Sequence, residues 1–174
     1  MKKSLLRRKY AILLILTSTV MSLDQATKAM IVSRFRLNEI LPVIGGVFNI
    51  TYVRNTGAAF GILQNANPVF RVPFFIIVPL VALIAIAMIF KKIADADAKL
   101  SVALSLVIGG ALGNLVDRLR FGFVVDFLDF HWRVYHFPSF NVADSSICIG
   151  VGILMLDLLA QERDDKETHA STSI

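Results

Sequence analysis

The chain has one cysteine, Cys148, among 174 residues. That excludes an intrachain disulfide and a cysteine cluster for metal. Its three histidines, His131, His136 and His169, lack metal-ligand spacing. Ser145 and Ser146 have no histidine base near them in sequence, so no serine nucleophile stands out. Charged residues are scarce too, at 18% against about 25% in soluble domains, which excludes an ordinary soluble fold. On a soluble protein the net charge of +5 would suggest nucleic acid. Here the basic residues flank apolar runs, where they set membrane topology and imply no nucleic-acid partner.

What the chain has in excess is apolar sequence: 56% of residues are hydrophobic and the mean hydropathy is +0.68. The excess falls in four segments, at about 10–32, 71–90, 100–117 and 142–160. Each approaches the roughly 20 residues that a helix needs to cross the hydrocarbon core. The first follows a basic head, as in a secretory signal peptide, but no small-x-small cleavage site follows it, so it is expected to be a retained span. The first ten residues and the linker "KKIADADAK" (91–99) are rich in lysine and arginine. The positive-inside rule makes both cytoplasmic, with both termini inside and segments 33–70 and 118–141 outside.

In the first outer segment "VFNITYV" alternates with period two between turn signals, which predicts a small sheet on the outer membrane surface. The second is expected to be a loop, rich in aromatics, with Trp132 and Tyr135 suited to a membrane interface. The polar tail 161–174 reads as disordered. The fold class is therefore a four-transmembrane-helix bundle with a small extracytoplasmic β-rich segment.

Acids in such surroundings are costly and mark functional sites. Asp24 and Lys28 stand one helical turn apart and can pair. Gly110, Asn114 and Arg118 share one face of the third helix. With Asp126 and Asp144 they converge on the outer face. Each acid has a plain structural reading: Asp144 as a helix N-cap, Asp126 as a loop acid facing headgroups. If the two meet, they share a proton, one activating water and the other polarising a peptide carbonyl. Asp117 is expected to support its neighbour Arg118, Asp129 to be solvated, and Asp157 to lie at the cytoplasmic end. These residues alone leave an enzyme, a small ion- or proton-coupled transporter and a membrane scaffold open.

The stretches "LDQATK" (23–28), "VRNTGAAFG" (53–61), "GGALGNLVDRL" (109–119), "GFVVDF" (122–127) and "FNVADSSI" (140–147) resemble, in order, the signatures of lipoprotein signal peptidases, or signal peptidases II. The resemblance implies an aspartic endopeptidase of the bacterial inner membrane, without metal or cofactor and inhibited by globomycin. Its substrate would be a prolipoprotein cleaved before a diacylglyceryl-cysteine. Asp126 and Asp144 would be catalytic, with Asn141 orienting them beside Ala143. Asn55, Gly57, Gly110, Asn114, Arg118, Asp24 and Lys28 would support the site or bind substrate. A monomer among membrane lipids would suffice, and segment 33–70, with Gly45, Gly46, Gly57 and Gly61, would serve as a mobile lid.

Overall fold

A chain in lipid must satisfy its backbone polar groups internally, and the apolar segments do so as helices. The structure is a computed structural model that describes residues 2–57, 63 and 66–172, with side chains described for 8–57, 63 and 66–163. Its helices are α1 (Lys2–Arg34), α2 (Pro68–Lys92), α3 (Ala98–Phe121) and α4 (Val142–Thr172). Within them Arg8–Arg34, Pro68–Lys92, Ala98–Phe121 and Val142–Arg163 are long and apolar enough to cross a membrane. The helix α4 continues to Thr172, so the tail expected to be disordered is helical up to that point. Once begun, a helix gains one hydrogen bond for each residue added.

The central helix is α3, packed against α1, α2 and α4. Small residues let its neighbours approach closely. A Cβ on Gly109 would stand 3.0 Å from Val20 Cβ of α1, and one on Gly150 of α4 would stand 2.6 Å from the Ala103 carbonyl. Outer faces of the other helices keep Leu14, Ile15, Val81 and Leu156 exposed, where lipid would cover them. At one end of the bundle, Lys9 Nζ donates to the carbonyls of Lys91 (3.3 Å) and Ile93 (3.0 Å) and pairs with Asp95 at 3.3 Å. Asp157 pairs with Lys99 at 2.8 Å near the start of α3, remote in the helix from Asp144.

A four-stranded antiparallel sheet lies at the other end, in the order β1 (Ile40–Ile44), β2 (Phe48–Asn55), β3 (Val124–Trp132) and β4 (Tyr135–His136). The glycine turn before "VFNITYV" joins β1 to β2, with Gly46 at φ 75°. Gly122, also at φ 75°, caps α3 by donating its N–H to the Arg118 carbonyl at 3.0 Å and turns the chain into β3. The second outer segment is therefore not simply a loop: Asp126 sits within a strand. Val125 and Phe127 join Ile31 and Tyr52 in a core that seats the sheet on the end of α1. Period-two alternation sends Asp126 to the opposite face.

Candidate active site

The sequence "NVAD" (141–144) builds the start of α4. Asn141 Oδ1 accepts from the Asp144 N–H at 2.9 Å, and Asp144 Oδ2 accepts from the Asn141 N–H at 3.2 Å. This is a reciprocal capping box, with Asn141 in the cap position and Asp144 three residues on. Asp144 is thus not the N-cap itself. The next orphan N–H, that of Ala143, is met from another helix by Asp24 Oδ1 at 3.0 Å. Ala143 is fully buried with its carbonyl against Gly110, so a larger side chain at Gly110 would push α3 from α4, while one at Gly113 would run into Asp24 Oδ2 of α1 at 2.6 Å.

Asn141 also reaches the strand. Its side-chain amide donates to Asp126 Oδ1 at 2.7 Å, so this one buried residue bonds both carboxylates, Asp126 by side chain and Asp144 by backbone. Asn55, from the end of β2, donates to Asp126 Oδ2 at 2.9 Å and accepts from the Gly57 N–H at 2.9 Å. Asn114 donates to Asp144 Oδ1 at 2.7 Å. Among the described residues both acids accept from amides, and neither forms an ion pair. Burial and the neighbouring Asp144 charge push the Asp126 carboxyl up to about 7, against the opposing pull of Asn55, Asn141 and Lys28.

Beneath the pair lies a buried ionic cluster. Lys28 Nζ pairs with Asp24 at 2.8 Å and Asp117 at 3.0 Å and donates to Asn114 Oδ1 at 2.9 Å. Because that oxygen accepts from Lys28, the Asn114 amide nitrogen faces Asp144. Asp117 does not bond its neighbour Arg118; it accepts from Gln25 at 2.9 Å and from the Val125 N–H at 3.1 Å, tying α1 and β3 to α3. Arg118 donates to the Gly57 carbonyl at 3.3 Å and lies over the Phe75 ring, 5.3 Å from its centroid.

The residues singled out in sequence therefore meet: Asp24, Lys28, Asn55, Gly57, Gly110, Asn114, Arg118, Asn141 and Ala143 surround or support Asp126 and Asp144. Ala58 to Gly61 of the second motif lie outside the described residues, including Gly61 of the expected lid. Gln25 lies in the stretch "LDQATK", but its bonds to the Gly113 carbonyl and Asp117 reach another helix and leave no signal in sequence. Asp129 is buried, not solvated. It accepts from Asn49 at 2.8 Å and pairs with His136 at 2.9 Å. Burial pushes its carboxyl up, but the bonds from Asn49 and His136 outweigh that and hold it below its ordinary value. Among the described residues no cluster of three or more histidine, cysteine or acidic side chains could hold a metal.

A family model described as signal peptidase (SPase) II matches residues 16–160. The lipoprotein signal peptidase of Syntrophotalea carbinolica is 53% identical over 90% of this chain and 94% of its own length. That of Geobacter metallireducens is 48% identical over 91% and 96%. A bacterial membrane enzyme solved by the in meso method superimposes with a TM-score of 0.79 at 37% identity, covering 87% of this chain and 90% of that one.

Proposed function

The chain belongs to the signal peptidase II family, and from that premise we propose that Asp126 and Asp144 form the catalytic pair of a prolipoprotein signal peptidase. The protein is a peptidase and a multi-pass bacterial membrane protein that removes signal peptides from prolipoproteins. A transporter reading finds no support among the relatives. The observation that carries the assignment of the pair is Asn141, which bonds both carboxylates at one end of a four-span bundle.

With its carboxyl raised to about 7, Asp126 holds a proton for much of the time at neutral pH. It donates to the scissile carbonyl. Asp144 takes a proton from water, and the water oxygen adds to the carbonyl carbon. The tetrahedral intermediate collapses as a proton passes to the amide nitrogen and the C–N bond breaks. The products are a carboxylate on the signal peptide and an amine on the diacylglyceryl-cysteine. The titration belongs to the pair as a unit.

The same reading places the protein in the inner membrane with both termini cytoplasmic, the pair near the outer face and the lipidated cysteine among lipid tails. Segment 33–70 would act as a lid over the pair. Purified protein mixed with lipidated and unlipidated prolipoprotein tests the substrate class by gel shift. Cleavage of the lipidated form alone, blocked by globomycin, supports the reading. Equal cleavage of both forms, or of neither, contradicts it.

A further inference from the structure

A third carboxylate is buried in the sheet, outside the pair. Asp129 stands three residues beyond Asp126 on β3 and is 4% exposed. A buried charge is costly unless it is paired and hydrogen-bonded. Asp129 is met from both neighbouring strands. Asn49 of β2, directly opposite, donates from one side at 2.8 Å. From the other, His136 Nδ1 of β4 lies 2.9 Å from Oδ1 and 3.1 Å from Oδ2. A carboxylate only accepts, so Nδ1 is the donor. His136 sits opposite His131, and its ring stacks on that of His131 while reaching diagonally back to Asp129. The His136 side chain is 48% exposed, so packing is a small part of what it does.

After His136 the chain runs back beside β3 to the start of α4. The Phe137 N–H donates to the Phe130 carbonyl at 2.8 Å. The Phe140 N–H donates to the Leu128 carbonyl at 3.1 Å, and the Phe140 carbonyl accepts from Leu128 at 2.8 Å and from Phe127 at 3.0 Å. The next residue is Asn141, which bonds Asp126 and opens the helix that carries Asp144. The register of this return segment on β3 therefore sets where Asn141 meets Asp126. That register is broken. In the pairing of His131 with His136, Leu128 would face Ser139; it faces Phe140 instead, so one extra residue is taken up in between. Pro138, which has no N–H to pair, lies in that stretch. A slip of one residue shifts a strand by about 3.3 Å, more than the 2.7 Å length of the bond from Asn141 to Asp126. Resting on the assignment of the pair above, we propose that Asp129 and His136 are positioning residues for the reaction. Their bond clamps the return segment to β3 on the far side of the extra residue, and through Asn141 it holds Asp144 in register with Asp126.

The test separates the donor of His136 from its ring. His136→Phe keeps a ring over His131 and removes the donor. His136→Asn removes the ring and puts an amide nitrogen near the place of Nδ1. Cleavage of lipidated prolipoprotein by the full chain in nanodiscs is followed to give kcat and KM, with each variant shown to be folded by circular dichroism. In His136→Phe kcat falls about tenfold with KM unchanged, within the roughly 100-fold that a 1 Å misplacement costs. His136→Asn recovers most of kcat. Asp129→Ala falls about as far as His136→Phe, and the two together fall little further, because they break one bond. If Asp129→Ala does not fold, the half-exposed His136 variants decide alone. A kcat near that of wild type in His136→Phe overturns the proposal, as does an equal loss in the Phe and Asn variants. So does a change confined to KM, which would set the hairpin against the substrate. Asp126→Asn in the same assay separates the two failures. If wild type cleaves, Asp126→Asn does not, and His136→Phe matches wild type, only the clamp falls; if wild type cleaves nothing, the peptidase reading falls and the clamp with it.

Discussion

Asp126→Asn should make the protein more resistant to unfolding as the pH rises, while abolishing its activity. A carboxyl whose pKa climbs from 3.8 unfolded to about 7 folded binds more protons in the native state. Its contribution to stability is full below pH 3.8 and is lost as pH rises through about 7. At about 1.4 kcal/mol per pKa unit the loss reaches about 4 kcal/mol at pH 8 and about 2 kcal/mol at pH 5. Asparagine cannot ionise, so it escapes this loss. It also turns one oxygen into a donor facing Asn55 or Asn141, which costs a fixed amount at every pH. The informative quantity is therefore the slope. The stability of Asp126→Asn relative to wild type should rise by about 2–3 kcal/mol between pH 5 and pH 8. Unfolding by dodecyl sulfate in mixed micelles, followed by circular dichroism at several pH values, measures it. A difference that stays constant with pH would refute the reasoning, because Asp126 would then titrate alike in both states.

The same raised carboxyl predicts that kcat/KM falls as pH rises above about 7, when Asp126 loses the proton it donates; a pH–rate profile with saturating and limiting substrate checks this. Lys28→Met leaves Asp24 and Asp117 buried without their cation and should cost about 3–5 kcal/mol in the same unfolding assay. Adding Asp24→Asn should recover part of that loss. Asn141→Ala removes the bonds to Asp126 and the cap of α4; the cap alone is worth about 1 kcal/mol, and the misplaced pair should slow cleavage by about 100-fold. Gly110→Ala drives a methyl into Ala143 and to 2.8 Å from Ile147, whereas Gly152 has nothing within 4 Å of an added Cβ. The first should destabilise by about 1–3 kcal/mol and impair cleavage, and Gly152→Ala should do neither.

Much of this site could be read locally. The i, i+4 rule pairs Asp24 with Lys28, and helical periodicity puts Gly110, Asn114 and Arg118 on one face. The same rule explains why Asp117, whose charge does act on Arg118, makes its direct bonds elsewhere. Neighbouring residues on a helix point about 100° apart and do not face each other, so Asp117 places its hydrogen bonds on α1 and β3. β3 was hidden for a different reason. Val124, Val125, Asp126 and Phe127 are all buried, so both faces of the strand are covered and the polar–apolar alternation that marks a half-buried strand is missing. Once β3 is a strand, Asp129 lies on the face opposite Asp126 and is free to pair with Asn49 and His136. "NVAD" shows its capping signature in sequence, but the further bonds of Asn141 to Asp126 and of Asp24 to Ala143 join residues 15 and 119 positions apart and depend on packing.

The central claim is that two carboxylates activate one water. Its most direct test is cleavage of a diacylglyceryl-modified prolipoprotein by wild type, Asp126→Asn and Asp144→Asn, each shown to be folded by circular dichroism. The account predicts cleavage by wild type and none by either variant. Near-normal cleavage by either variant would contradict it and move the search to Asp24, Asp117 and Asp129.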